Sequence, residues 1–244
     1  MTLLVTGATG FVMSVLGRHW LEADPRARLV VLDASPLDAA AQRYFAPFTD
    51  RLAVVVADVT EPETWRPALA RHAVTRIVHG ATITPISRGT ATAAKREPEA
   101  ENPDRIIDVN VMGTVAVLEW ARTLPDLKRF IYVSSGAVYK HHGPDRRGQP
   151  LPEDGYVMPR RLYGISKLTS ELVTERYGDL FGLSTASVRP SSMMSIGLHG
   201  RIIGRPGRIG ALGRLLEHIQ RHEGVWLCNR AAIAEHWIAH HAKS

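Results

Sequence analysis

The chain has 244 residues, 45% hydrophobic and 22% charged, with a formal net charge of +6 at neutral pH, which suits one large α/β domain or a domain with a small appendage. A single cysteine, Cys228, excludes an internal disulfide framework, and the positive charge is not gathered into a basic block of the kind that binds nucleic acid. No leader-like segment and no apolar run long enough to span a membrane is recognised, so a cytoplasmic protein with neither a nucleic-acid nor a membrane partner is expected.

Leu3-Leu4-Val5 reads as a short buried strand. It runs into Thr6-Gly7-Ala8-Thr9-Gly10-Phe11-Val12-Met13, after which Val15, Leu16, Trp20 and Leu21 share one helical face. Strand, glycine turn and helix in that order make a phosphate cradle: Gly7 allows the sharp turn, Gly10 the close approach, and the helix N-terminus offers free N–H groups. Further apolar runs follow at 28–33, 52–58, 76–81, 129–135 and 183–189, with helical patterns at 11–23, 38–46, 61–71, 104–123 and 162–181. Strands alternating with helices predict an α/β fold, a doubly wound parallel sheet covered on both faces. Polar connections at 83–103 and 140–160 are long enough to be functional loops.

Ligands of open parallel sheets bind outside the carboxyl ends of the strands. Asp33 closes the second strand, where an acid can hydrogen-bond the adenosine ribose and repel a 2′-phosphate; NAD is therefore expected over NADP. Asp58 closes the third and can reach the adenine amino group, although an acid opening the turn before Thr60-Glu61-Pro62 is equally natural. Tyr163 and Lys167 lie one helical turn apart, one element after the strand end Ser134-Ser135. A phenol is a poor base at neutral pH; a neighbouring ammonium favours the phenolate, and Ser135 can hold a substrate oxygen beside it. Together these groups fit proton removal from an alcohol as hydride leaves its carbon.

With those residues in view, the chain resembles the extended short-chain dehydrogenase/reductases, specifically the NAD-dependent epimerase/dehydratase group. Residues 6–13 match the Thr-Gly-x-x-Gly-x-x-Gly turn apart from Met13. Residues 134–139 match Ser-Ser-x-x-Val-Tyr, 163–167 match Tyr-Gly-x-Ser-Lys, Asn110 to Thr114 are similar to Asn-Val-x-Gly-Thr, and Pro152-Glu153-Asp154 resemble the loop before the tyrosine. The resemblance implies a Rossmann-type sheet, of order 3-2-1-4-5-6 or a seven-stranded version of it, with tightly bound NAD. It implies hydride transfer at a sugar-like small molecule, with Ser135, Tyr163 and Lys167 as the catalytic residues. Cofactor contacts are implied for Gly7, Thr9, Gly10, Phe11, Val12, Asp33, Asp58, Val59, Ala81, Thr82, Asn110, Ser134, Tyr163, Lys167 and Pro190. Lys167 would also hold the nicotinamide ribose, and Asn110 would order the site. A homodimer through the helices at 104–123 and 162–181 is the family expectation. Elimination is disfavoured, because Gly136-Ala137 stand where dehydratases of the family carry an acid pair.

The match spans about residues 2–190. A dinucleotide-binding domain is expected over 1–190, with a short, atypical C-terminal substrate lobe over 191–244. That tail carries recurring Gly-Arg pairs and the histidines His218, His222, His236, His240 and His241, read as exposed helix residues rather than metal ligands, so no metal is expected. Either a diverged lobe or an altered carboxy terminus accounts for it. The competing class of function is a non-catalytic dinucleotide-binding regulatory or scaffold protein. Met13, bulky where the turn normally has glycine, predicts a first helix displaced from its strand and weaker NAD binding.

Overall fold

The structure is a computed structural model that describes residues 1–84, 99, 102–139 and 156–190. The chain divides into two compact units, Met1–Met193 and Met194–Ser244, and every described residue belongs to the first. Most of the loops at 83–103 and 140–160, Pro152 to Asp154 and the whole tail from 191 with its histidines and Cys228 lie outside the described residues.

Among the described residues the elements run β1 (Thr2–Thr6), α1 (Phe11–Ala23), β2 (Arg28–Asp33), α2 (Ala39–Phe45), β3 (Leu52–Val56), α3 (Pro62–Ala70), β4 (Arg76–His79), α4 (Pro103–Ile107), α5 (Gly113–Ala121), β5 (Arg129–Val133), α6 (Leu162–Phe181) and β6 (Thr185–Val188). A π-turn, Asp108–Met112, joins α4 to α5, so the single helix expected at 104–123 is interrupted. β3, β4 and β5 end two residues before their apolar runs do, while β2 ends with its run at Asp33.

All strand pairs are parallel, in the order β3-β2-β1-β4-β5-β6. Alternate strand residues face opposite layers. Leu4, Val30, Leu32, Ile77, Phe130 and Tyr132 pack with Trp65 and Trp120 from α3 and α5, whose rings meet edge to face at 6.0 Å. Leu3, Val5, Leu29, Val31 and Val78 pack with Met13, Leu21 and Phe45 from α1 and α2. Both faces of the central strands β1, β2 and β4 are thus buried, which is why those runs are apolar almost throughout. The strand order reverses between β1 and β4, paired at Thr6 and His79, and a crevice opens where the crossovers diverge.

Candidate active site

The glycine turn stands at that crevice. Gly7 is left-handed at φ 70, and a Cβ there would lie 2.8 Å from the Ala81 backbone, so only glycine lets the turn pass this close to β4. Gly10 precedes α1 in extended conformation; no side chain caps the helix and no acid lies in its first turn, which leaves the positive end of the helix open to a phosphate. The Asp33 carboxylate accepts hydrogen bonds from Thr9 N at 2.9 Å, Thr9 Oγ1 at 2.8 Å and Ser35 N at 3.0 Å. The acid expected to clamp a ribose therefore also ties β2 to the cradle.

Asp58 takes the turn-opening role. Its Oδ1 accepts from Thr60 N and Oγ1 at 2.9 and 2.7 Å, and Arg105 donates to Oδ2. Burial works against its charge, but Thr60 and Arg105 together hold the carboxyl below its usual range. Val59 is buried in the core, and its carbonyl accepts from Trp65 Nε1 at 3.2 Å; its side chain does not line the crevice.

A buried polar chain joins the cradle to α6, the helix that carries Tyr163 and Lys167. Thr6 Oγ1 accepts from Gly80 N and Ala81 N, both at 3.1 Å. With both lone pairs occupied, its proton goes to His79 Nδ1 at 2.7 Å. His79 is then the Nε2–H tautomer, donating to Thr114 Oγ1 at 3.0 Å, and Thr114 donates to Asn110 O at 2.6 Å. Burial drives His79 down to about 3, with Lys167 adding to the effect. Asn110 sits in the π-turn, a distortion that often marks functional sites. Its Oδ1 accepts from Thr82 Oγ1 at 3.0 Å and Ile83 N at 2.7 Å; its Nδ2 donates to Ile83 O at 3.2 Å and Ser166 Oγ at 2.9 Å. Both acceptor and both donor positions are occupied, so Asn110 orders the site rather than offering its amide to a ligand.

Tyr163 and Lys167 fall on α6 as the spacing predicts. Lys167 is 2% exposed; Nζ donates to Val133 O at 2.8 Å and lies 5.9 Å from the Tyr163 ring centroid. Burial lowers its pKa to about 7. Desolvation raises the Tyr163 phenol above its ordinary value, and a hydrogen bond from Ser135 works in the opposite direction. The sequence expectation that the ammonium sets the phenol is thus met by a competing effect: burial weakens the cation and the phenolate alike. Ser135 Oγ accepts from Ala137 N at 3.2 Å, which leaves its proton to donate toward the phenol or a substrate oxygen. Ser134 Oγ is buried without a partner, and Pro190 O accepts from Gly136 N at 2.8 Å. Glu99, which no local pattern singles out, accepts from Leu162 N at 3.0 Å and Tyr163 N at 3.2 Å, so its carboxylate caps the catalytic helix.

A parallel doubly wound sheet with a glycine cradle at its switch point, a serine after the end of β5 and a tyrosine and lysine one turn apart on α6 defines the short-chain dehydrogenase/reductase class. The family model described as "NAD dependent epimerase/dehydratase family" matches residues 3–208. The chain belongs to that family. It is 28% identical over 193 residues to a UDP-glucose 4-epimerase of Mycolicibacterium smegmatis, covering 79% of this chain and 56% of that one. The crystal structure of a dTDP-glucose 4,6-dehydratase from Bacillus anthracis in complex with NAD shares the fold at a TM-score of 0.67 and 20% identity, over 88% of this chain and 62% of that one. A 49-residue stretch is 55% identical to a putative polysaccharide deacetylase of Schizosaccharomyces pombe, 20% of this chain and 15% of that one. The chain therefore spans little more than half the length of the epimerase and dehydratase it matches. No helix among the described residues is long and apolar enough to cross a membrane, and no described group of His, Cys, Asp or Glu could hold a metal ion.

Proposed function

We propose that the chain binds NAD, in preference to NADP, and transfers hydride at a secondary alcohol of a nucleotide sugar or related sugar, as an epimerase or dehydrogenase. The observation that carries this reading is the placement of Tyr163 and buried Lys167 one turn apart on α6, packed against the turn that Ser135 opens, where a Cβ on Gly164 would lie 2.6 Å from Ala137 O. The groups at the strand ends suit a dinucleotide: the uncapped end of α1 would take a diphosphate, Asp33 a ribose, and the unpartnered Ser134 hydroxyl and Lys167 would lie toward the nicotinamide. When bound, the nicotinamide supplies the hydride acceptor and a positive ring. Tyr163 removes the proton of the substrate hydroxyl, Ser135 donates to the same oxygen, and Lys167 returns toward its charged form as anions enter the crevice, which stabilises the phenolate. Gly136-Ala137 after Ser135 supply no acid for elimination, so carbonyl chemistry is favoured over dehydration.

The relatives named as UDP-glucose 4-epimerase and dTDP-glucose 4,6-dehydratase support a nucleotide-sugar substrate. A homodimer is supported by exposed Ile107, Met112, Ile165 and Leu172 on the α4–α5 segment and α6, a set of apolar side chains suited to burial between copies. Purified chain should retain or bind NAD by titration calorimetry, and should reduce it with at least one member of a panel of nucleotide sugars and uronates. Absence of any NAD affinity would overturn the proposal.

A second reading has its own observation. A 49-residue stretch of the chain is 55% identical to part of a putative polysaccharide deacetylase, a kinship outside the epimerases. On that reading the chain binds the dinucleotide without turning over a sugar, and the same panel separates the two: NAD bound, no substrate reduced.

A further inference from the structure

Three side chains near the reacting groups have no part in the chemistry above. Glu171 lies on α6 one turn beyond Lys167 and two beyond Tyr163, so all three share a face; it is 8% exposed. Arg189 follows β6 and grips it: Nε donates to Oε1 at 2.9 Å and Oε2 at 3.0 Å, and Nη2 donates to Oε1 as well. Its Nη1 donates to Tyr139 Oη at 2.9 Å, and the guanidinium lies 5.0 Å from that ring's centroid. The hydrogen bonds to Glu171 above all, opposed by burial, raise the Arg189 pKa, so the guanidinium stays charged.

Tyr139 ends the short turn that begins at Ser135. Its N–H donates to Gly136 O at 3.2 Å, and Gly136 N donates to Pro190 O at 2.8 Å. Where this turn meets α6 the fit is close: a Cβ on Gly164 would lie 2.6 Å from Ala137 O. One guanidinium thus holds the far end of the Ser135 turn with one arm and the Tyr163 helix with the others.

We propose that Arg189, acting through Glu171 and Tyr139, is a positioning residue that sets the approach of the Ser135 hydroxyl to the Tyr163 phenol. The proposal rests on Tyr163 being the proton acceptor. A forked guanidinium–carboxylate contact resists both rotation and sliding, and in a buried setting its hydrogen bonds are strengthened. Helix α6 is continuous from Tyr163 to Glu171, so fixing Glu171 fixes the phenol. Displacements of about 1 Å at such a contact are enough to cost a large share of a catalytic rate.

The test uses the full chain labelled with 3-fluorotyrosine, with the Tyr163 resonance assigned by its loss in Tyr163→Phe. Tyr139→Phe removes only the hydroxyl that ties the clamp to the Ser135 turn; Glu171→Gln keeps shape and removes the charge. Because the bond from Ser135 favours the phenolate, loosening it raises the pH at which Tyr163 titrates, by about half a unit or more. We expect that rise in Tyr139→Phe with NAD affinity equal to the parent's, and in Glu171→Gln a rise that survives the loss of a neighbouring carboxylate charge, which by itself lowers a phenol's pKa. An unshifted Tyr163 titration in both variants overturns the proposal. Failure of the parent to bind NAD would sink the functional reading instead, and the comparison of phenol titrations would still stand.

Discussion

Met13 and Gly80 share one volume. A Cβ at residue 80 would lie 2.5 Å from Met13 Sδ and 2.8 Å from Met13 Cγ. The side chain that replaces the last glycine of the cradle fingerprint is therefore housed against the carboxyl end of β4, by a residue with no side chain of its own. Met13 is buried in the α1 side of the core, so α1 stays packed on the sheet and the bulk is taken up at residue 80.

Gly80→Ala should destabilise the chain by about 1–3 kcal/mol, the usual cost of overpacking a filled core. Combined with Met13→Ala the loss should be smaller than the sum of the single losses, with a coupling of about 1 kcal/mol or more. Urea unfolding of the four species reads it; strict additivity would show that the two residues do not compete for space.

His79 makes stability depend on acid. Burial, with a lesser push from Lys167, lowers its pKa to about 3, against about 6.5 in the unfolded chain. Between those values the unfolded chain binds a proton that the folded ring refuses. The contribution is therefore complete above about pH 6.5 and falls by about 1.4 kcal/mol per pH unit as the pH drops toward 3. His79→Gln should unfold with a flatter pH dependence over that window than the parent.

Asn110→Ala leaves the Ile83 N–H and the Ser166 hydroxyl without the partners seen at 2.7 and 2.9 Å. Ser166 Oγ still donates to Tyr163 O at 2.8 Å, so the Ile83 N–H is the group left unsatisfied, and a loss of about 1–3 kcal/mol is expected in thermal or urea unfolding. Amide exchange at Ile83 should accelerate with it, since that N–H donates only into this network.

Asp33 should set the dinucleotide preference. With its carboxylate held by Thr9 and Ser35, it cannot swing away from a 2′-phosphate. NAD is expected to bind about tenfold or more tighter than NADP, and Asp33→Ser should narrow that ratio chiefly by weakening NAD. Calorimetric titration of both dinucleotides into both proteins measures it.

Periodicity sufficed for a doubly wound parallel sheet, because strands alternate with amphipathic helices, whereas the strand order β3-β2-β1-β4-β5-β6 was legible only through the family resemblance. It overran three strand ends, since Asp58, Gly80, Ala81, Ser134 and Ser135 follow close on their apolar runs but lie outside the sheet. The Ser135, Tyr163 and Lys167 set was legible from helical spacing and its place after β5. What spacing could not show is long-range: Glu99 capping α6, Arg189 reaching Tyr139 and Glu171, and the chain from Thr6 through His79 to Asn110. Two of these left traces in the sequence. His79 is a polar residue inside an apolar strand, and Glu171 continues the one-turn series from Tyr163 and Lys167. The exchange of bulk between residues 13 and 80 was invisible, because neither position predicts the other until β1 and β4 are paired.

The most direct measurement mixes the NAD-loaded chain with a nucleotide sugar that it reduces NAD with, and follows the reduced-nicotinamide signal in a single turnover beside Tyr163→Phe. The account predicts that both proteins bind NAD equally and that the variant's hydride-transfer rate falls by about a hundredfold or more, the usual worth of a positioned proton acceptor. Equal rates in the two proteins would contradict it.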